Sequence, residues 1–212
     1  PTTARNILID NNEIYGWQEA GVSVANIKTV RILQNEFHHN QFEKLTLFLP
    51  DHFGSGYGIL VGDFGGASIE QNVFHHNRHD IAGNGHREST YSAIKNLVLG
   101  GGTSHSFDVH AWKENKCEKE YKHSNGWAIA GHTFLFKDNI FRQDHNEAIQ
   151  IRGVPVKLVT IQNNSFKMER RKAVNQFKFC GAKKYIPGVS WVKEEQNFSR
   201  IKMIGNQFDV GN

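Results

Sequence analysis

Short runs in which apolar and polar residues alternate recur along the chain, and an asparagine follows each of them closely. The runs lie at residues 6–9, 30–33, 134–136, 158–161 and 201–204. Apolar residues at every second position predict β-strands with one buried side. We expect the asparagine to lie in the turn that leaves each strand, because its side chain bonds to nearby backbone groups and it tolerates unusual backbone angles.

The asparagine opens a three-residue phrase that ends in Ile, Val or Phe. The phrase begins at Asn12, Asn35, Asn72, Asn96, Asn139, Asn164 and Asn206. Successive intervals are 23, 37, 24, 43, 25 and 42 residues, so a repeat of 23 to 25 residues carries insertions. Repeats of this length are typical of solenoids, in which each coil buries its apolar side on its neighbours. The pattern predicts an all-β parallel β-helix, a solenoid of about seven coils with loop insertions, in which stacked asparagines form a ladder.

Most repeats contain a second candidate strand. These segments are residues 22–24, 59–61, 80–82, 107–110, 149–152 and 174–177. Their alignment predicts two inner columns, one of Val22, Ile59, Ile81, Phe107 and Ile149 and one of Val24, Val61, Val109 and Ile151. Alternate residues then face outward, so Asp108 and His110 should share an exposed patch. Gln150 and Arg152 of the next coil should lie beside them.

This patch combines a carboxylate, an imidazole and a guanidinium. A basic side chain in it can remove the proton α to the carboxyl group of a uronate sugar, while a cation or an arginine stabilises the enolate. The candidate catalytic residues are Asp108, His110, Arg152 and His105. Asp80 and Asp108 are candidate ligands for Ca²⁺, which prefers carboxylate oxygens. Two alternatives are a surface ladder of hydrogen-bonded polar side chains and a zinc site of His105, Asp108 and His110.

Residues around the patch are candidates for substrate binding. They are His79, Gln150, Tyr91, His145 and Trp112. The rings of Tyr91 and Trp112 either stack on sugar rings or cover the core. His145 is either a second acid or base or a turn residue.

Other residue types that often carry chemistry have plain structural interpretations here. Cys117 and Cys180 match no metal-binding spacing and form either one disulfide or two buried thiols. Two histidine pairs occur in the same Phe-His-His-Asn context, at 38–39 and 75–76. Because the surrounding turn is repeated, we interpret these pairs as architecture.

Length and charge limit the classes of function. A chain of 212 residues can form one domain, spanning 1–212, with a substantial core. It contains no run of about 18 apolar residues that would predict a membrane span. A net charge of +4 and a pI near 9.0 favour anionic partners, acidic polysaccharides before nucleic acids.

The first repeat begins close to Pro1, so we expect the solenoid to lack an N-terminal cap or to have its ends covered by a partner or an oligomer. Loops expected at 41–57, 84–91, 111–126 and 178–198 would border a binding cleft.

The Asn phrases and the segment Phe74-His75-His76-Asn77 make the chain similar to right-handed parallel β-helix proteins of the pectate-lyase-like superfamily. Residues 134–166 resemble the pectate-lyase stretch in which a strand, an Arg-x-Pro-x-x-Arg motif and an Asn-rich turn follow one another. The motif is matched here by Arg152, Pro155 and Lys157. The resemblance implies a right-handed solenoid and implies that Arg152 is the proton-abstracting base. The segments 79–83 and 104–110 are also similar to uncharacterised β-helix repeat proteins, which imply no activity.

These observations favour an extracellular or periplasmic carbohydrate-active enzyme, a polysaccharide lyase or epimerase that acts on an acidic polysaccharide. Arg152 or His110 would be its base. One alternative is a noncatalytic β-helix that binds a glycan or another surface. The other is a metal-dependent phosphodiesterase or nuclease built on the His and Asp cluster. The fold alone does not choose among them.

Overall fold

Strands stacked in three parallel sheets dominate the part of the chain that the structure describes. In the computed structural model this part comprises residues 6–41, 55–110, 129–143, 146–177 and 200–209. The strands are β1 (Ile7–Asp10), β2 (Glu13–Tyr15), β3 (Ala20–Val24), β4 (Val30–Leu33), β5 (Glu36–His38), β6 (Tyr57–Val61), β7 (Gly66–Glu70), β8 (Val73–His75), β9 (His79–Gly83), β10 (Thr90–Ile94), β11 (Leu97–Val98), β12 (Phe107–Val109), β13 (Thr133–Lys137), β14 (Ile140–Phe141), β15 (Ile149–Arg152), β16 (Leu158–Gln162), β17 (Ser165–Phe166), β18 (Val174–Phe177), β19 (Ile201–Ile204) and β20 (Gln207–Phe208). One short helix, α1 (Arg170–Ala173), precedes β18.

Each sheet takes one strand from successive coils. The first sheet has the order β1-β4-β7-β10-β13-β16-β19, the second β2-β5-β8-β11-β14-β17-β20 and the third β18-β15-β12-β9-β6-β3. The pairings are parallel, because each strand returns to its sheet after one full coil. The predicted parallel β-helix is confirmed. The alternating pattern did not locate β7 and β10, in which Gly, Ala and Ser replace several of the large apolar residues.

The predicted asparagine ladder is confirmed and runs from Asn12 to Asn206. At each step the asparagine side chain forms hydrogen bonds with residues of the preceding coil. Oδ1 of Asn96 accepts the backbone N–H and the Nδ2 of Asn72, at 2.9 and 3.1 Å, while Asn96 Nδ2 donates to Ile69 O at 3.0 Å. The expectation that these asparagines take unusual backbone angles is wrong. The left-handed φ falls on the residue before each of them, such as Lys95 at φ 56°. That residue makes the bend, which leaves the asparagine side chain for the ladder.

The core consists of the predicted inner columns. The register joins Ile59 to Ile81, Ile81 to Phe107 and Phe107 to Ile149 in the third sheet, and these four residues are fully buried. In the second sheet the apolar residues of the Asn phrases stack, as in the ring pair Phe141–Phe166 with centroids 4.9 Å apart. The residues between the inner positions of the third sheet therefore lie on its outer side, where the candidate site is found.

Several predicted features lie outside the described residues. These are the loops 111–126 and 178–198, together with Cys117 and Cys180. The predicted loop 84–91 extends too far, since β10 begins at Thr90. Where the structure describes the chain, we find no helix with the length and apolar character needed to cross a membrane.

Candidate functional site

The third sheet brings the predicted catalytic residues together. Its register pairs Asp108 with Gln150 and Val109 with Ile151. The next position places His110, which directly follows β12, beside Arg152 at the end of β15. Neighbouring coils thus assemble these side chains although tens of residues separate them in sequence.

Asp108 is the centre of this cluster. Its Oδ2 lies 2.6 Å from Nη2 of Arg152, 3.0 Å from Nε2 of His110 and 3.4 Å from Nε2 of His79. The Asp108 carboxylate is fully buried, so the prediction of an exposed position is wrong for this residue. The side chains of His110 and Arg152 are 31% and 34% exposed. One buried charge therefore anchors two side chains that reach the surface.

The charge state of Asp108 follows from its neighbours. Burial by itself raises the pKa of this carboxyl, because a charge is poorly solvated in the interior. The contact with His110 and the charge of Arg152 outweigh burial and hold the pKa of Asp108 well below its usual range. The carboxylate stays ionised at neutral pH. A buried carboxylate of this kind can hold an imidazole in one tautomer and stabilise it when it takes up a proton.

A backbone irregularity helps to bring His79 to the same cluster. The N–H groups of Asp80 and Ile81 both donate to the carbonyl of Ser106, at 2.9 and 3.0 Å. Two successive N–H groups that share one carbonyl make a local bend in the strand, although the register keeps its spacing, with Tyr57 beside His79 and Ile59 beside Ile81. Nδ1 of His79 donates to the carbonyl of His105 at 2.6 Å, so Nε2 faces the buried carboxylate. Burial lowers the pKa of His79 to about 3, and the ring is therefore neutral at pH 7.

A row of polar side chains runs beside the Asp108 column. Tyr57 stacks on His79 with ring centroids 5.6 Å apart, and His79 stacks on His105 at 5.9 Å. Nδ1 of His105 lies 3.0 Å from Oε2 of Glu147 in the next coil. This contact lowers the pKa of Glu147, whereas burial raises the pKa of Tyr57. The row therefore ends in a second imidazole–carboxylate pair.

Buried polar atoms without an aligned hydrogen-bond partner are concentrated here. Six such side-chain atoms occur among the described residues, and five of them belong to the site: His79 Nε2, His105 Nδ1, Asp108 Oδ1, His110 Nε2 and Arg152 Nε. Three of them, His79 Nε2, His105 Nδ1 and His110 Nε2, lie 3.0–3.4 Å from a carboxylate oxygen. Native proteins leave few buried polar groups unpaired, so the other two atoms, Oδ1 of Asp108 and Nε of Arg152, are available to a polar ligand.

Three of these residues also have the arrangement of a metal site. One ligand atom from each of His79, Asp108 and His110 lies within 4.8 Å of the other two. Two imidazole nitrogens and one carboxylate suit a transition metal better than calcium, which takes oxygen ligands. Oδ1 of Asp80, the other predicted calcium ligand, accepts a hydrogen bond from Asn77 at 2.9 Å. Calcium binding by Asp80 and Asp108 stays a prediction.

Among the predicted substrate-binding residues that the structure describes, Gln150 and Tyr91 are buried and do not line the outer side of the site. Gln150 is fully buried next to Asp108, and its Oε1 accepts a hydrogen bond from Asn175 at 3.2 Å. Tyr91 is 2% exposed and packs against Phe134, with centroids 4.9 Å apart, so its ring covers the core and is not placed for stacking on a sugar. Trp112 and His145 fall outside the described ranges.

Two site residues, Tyr57 and Glu147, were missed by the sequence reasoning. The signal was present in the inner columns. The row members lie two residues before successive inner residues, in the pairs Tyr57/Ile59, His79/Ile81, His105/Phe107 and Glu147/Ile149. Extension of the inner column by two positions would have aligned all four.

A groove of about 740 Å³ lies on the first sheet and not at this cluster. Arg31, Ser68 and Ser92 are among its lining residues, and the two serine hydroxyls are 3.1 Å apart. None of the candidate catalytic residues lines the groove. We therefore place the candidate chemistry on the third sheet.

No family model, no curated protein and no solved structure matches this chain.

Proposed function

We propose that this β-helix is an acid–base enzyme that acts on an acidic polysaccharide as a lyase or an epimerase, outside the cell or in the periplasm. The observation that carries the proposal is the buried carboxylate of Asp108, with Nη2 of Arg152 at 2.6 Å and Nε2 of His110 at 3.0 Å. A proton acceptor and a fixed cation thus lie side by side on the outer side of the sheet. The basic net charge of the chain favours an anionic substrate.

His110 is the residue best suited to remove the proton. Its Nε2 faces Asp108, which favours the tautomer with the proton on Nε2 and leaves Nδ1 as the basic nitrogen. The ionised carboxylate stabilises the imidazolium that forms. General base catalysis of this kind contributes about 10²–10⁴-fold to a rate.

Arg152 is better suited to bind the substrate's carboxylate than to act as the base. The resemblance to pectate lyases would make it the base, and membership of that superfamily is part of this proposal. Its guanidinium, however, contacts an ionised carboxylate and remains charged in proteins. A fixed guanidinium can clamp the uronate carboxylate and stabilise the enolate that forms from it.

The proposed lyase reaction is a β-elimination. His110 takes the proton α to the carboxyl group, the electron pair of that C–H bond forms the new double bond, and the bond from the β carbon to the glycosidic oxygen breaks. The leaving oxygen takes a proton from His105, which Glu147 holds at 3.0 Å. An epimerase shares the first step and then returns a proton to the opposite face of the sugar. Calcium held by Asp80 and Asp108 would help to neutralise the substrate's carboxylate.

A second candidate function is metal-dependent phosphodiester hydrolysis. It is favoured by the ligand set His79, Asp108 and His110. A transition metal held there would polarise a phosphoryl oxygen and lower the pKa of a bound water. Arg152 would then bind the phosphate, for which its planar donors are suited.

The test incubates the purified full chain with polyuronates and sulfated glycans, with calcium and with a chelator. Unsaturated uronate is followed by ultraviolet absorbance. NMR in D₂O follows deuterium uptake at the α carbon, and a chromogenic phosphodiester reports hydrolysis. The variants His110→Gln and Arg152→Lys are compared with the control His132→Gln, which changes the histidine directly before β13 of the first sheet.

Each outcome assigns a reaction. Unsaturated products that are lost in both variants support a lyase. Deuterium uptake without chain cleavage supports an epimerase, and phosphodiester cleavage that a chelator abolishes supports the second candidate. Polymer binding with no chemical change, equal in all variants, would contradict both enzymes and favour a noncatalytic binding module.

A further inference from the structure

Two histidine pairs lie on the second sheet, apart from the candidate site. His38 and His75 end β5 and β8 and are partners in the register. Their rings stack with centroids 4.9 Å apart, and the following rings, His39 and His76, stack at 4.7 Å. The repeated turn, which the sequence suggested was architectural, therefore gathers four imidazoles in two neighbouring coils. His39 and His76 are exposed.

A carboxylate orients the first ring of each pair. Oε1 of Glu36 lies 2.9 Å from Nε2 of His75. Because an ionised carboxylate can only accept a hydrogen bond, Nε2 carries the proton and Nδ1 keeps a lone pair. That Nδ1 lies 2.9 Å from Nδ1 of His76. The coil before repeats the arrangement with Glu13, His38 and His39.

This geometry matches the usual surroundings of a metal-binding histidine. Such a histidine donates one ring N–H to a carboxylate and binds the metal through the other nitrogen. One ring nitrogen each from His39, His75 and His76 lies within 4.8 Å of the other two. Tetrahedral zinc, at about 2.0–2.1 Å from each nitrogen, needs them roughly 3.3 Å apart. Because Nδ1 of His75 and Nδ1 of His76 are 2.9 Å apart, metal binding requires the exposed rings of His39 and His76 to reorient.

We propose that His39, His75 and His76 bind one divalent transition-metal ion of the Zn²⁺, Ni²⁺ and Cu²⁺ class, and that Glu36 is the positioning residue for His75. Imidazole nitrogens suit these ions, whereas Ca²⁺ and Mg²⁺ prefer oxygen ligands. The site is independent of the proposed function, because it shares no residue with the cluster around Asp108.

The site is limited to two coils. Tyr15 takes the place of the histidine in the coil before and stacks on His38 at 5.0 Å. In the coil after, Leu97 and Val98 pair with Val73 and Phe74, which puts Leu99 in the histidine column. A Cβ at Gly101 would lie 2.6 Å from Nε2 of His76, so glycine there leaves room for that ring.

The test measures binding of Zn²⁺, Ni²⁺ and Cu²⁺ to the full chain by native mass spectrometry and calorimetry. The double variant His39→Gln/His76→Gln removes two ligands, both exposed, and Glu36→Gln removes only the positioning carboxylate. Asp108→Asn accounts for any ion bound at the other cluster, and His132→Gln is the matched histidine control. Circular dichroism verifies that each variant folds, and ¹⁵N NMR of the wild-type imidazoles detects coordination without any substitution.

The double variant should lose one equivalent of bound ion, while His132→Gln and Asp108→Asn retain it. Glu36→Gln should weaken binding about 10–100-fold. Unchanged stoichiometry and affinity in the double variant would overturn the proposal. So would wild-type ring nitrogens of His39, His75 and His76 whose shifts do not move when Zn²⁺ is added.

Discussion

Arg152 and Asp108 are 44 residues apart in sequence, yet Nη2 of the first lies 2.6 Å from Oδ2 of the second. The carboxylate is fully buried and the guanidinium is partly exposed. The pair is therefore asymmetric, because only the guanidinium can reach a substrate. The carboxylate contributes by holding its neighbours in place.

Asp108→Asn keeps the shape of the side chain and removes its charge. The variant leaves the Arg152 guanidinium and the His110 ring without their buried partner, although both retain access to water. We expect the free energy of unfolding to fall by about 1–3 kcal/mol. Urea unfolding measures this, with the exposed Asp10→Asn as the control, which should change by less than about 0.5 kcal/mol. An equal loss in both variants would mean that the buried charge has no special role.

Acid should destabilise the fold through His79. Its pKa of about 3 lies below the ordinary value of 6.5, so the unfolded chain binds more protons between these values and stability is lost as pH falls. We expect a loss of about 2 kcal/mol between neutral pH and about pH 5. The pKa values of nearby Glu147 and Asp108 are also lowered, so protonation of these carboxyl groups reduces stability only below about pH 4.5. Chemical unfolding at a series of pH values measures the slope, and a slope that persists in His79→Gln would contradict this assignment.

The interior of the asparagine ladder should matter more than its end. Asn96→Ala removes the acceptor for the backbone N–H and Nδ2 of Asn72 and the side-chain donor to the carbonyl of Ile69, all in the interior. We expect a loss of about 2–4 kcal/mol. Asn12→Ala, at the exposed first position, should lose less than about 1 kcal/mol. Thermal or urea unfolding of the two variants tests this. Equal losses of stability would show that burial of a ladder position does not increase its contribution.

His110→Gln should lower kcat of the proposed enzyme by about 10²–10⁴-fold and leave substrate affinity nearly unchanged, because it removes the base but not Arg152. Arg152→Lys should lower kcat and also raise KM, since lysine lacks the planar pair of donors that binds a carboxylate. Steady-state kinetics separates the two effects. A residual kcat in His110→Gln close to that of the unsubstituted chain would exclude His110 as the base.

Much of the site was visible in the sequence. Period two placed Asp108, His110 and Arg152 on one side of the third sheet, and Asp108 contacts both of the others there. A strict period of two would put His79 on the same side as Ile81. The strand bends where the N–H groups of Asp80 and Ile81 share the carbonyl of Ser106, and His79 contacts the cluster instead. Tyr91 illustrates the opposite error, because its position near the site in sequence did not reveal that β10 turns its ring into the core.

By itself the sequence determined the solenoid. Each coil packs only on its neighbours, so every coil must place an asparagine and an apolar residue at the same point, and this requirement appears as a spacing along the chain. Only the tertiary structure decided that Asp108 is buried and that Glu147 and Tyr57 join His105 and His79. Burial on the outer side of the sheet depends on which side chains of neighbouring coils lie over each position, and a local backbone bend changes the side to which a residue points. Neither effect recurs at a fixed spacing, so neither leaves a repeated pattern in the sequence.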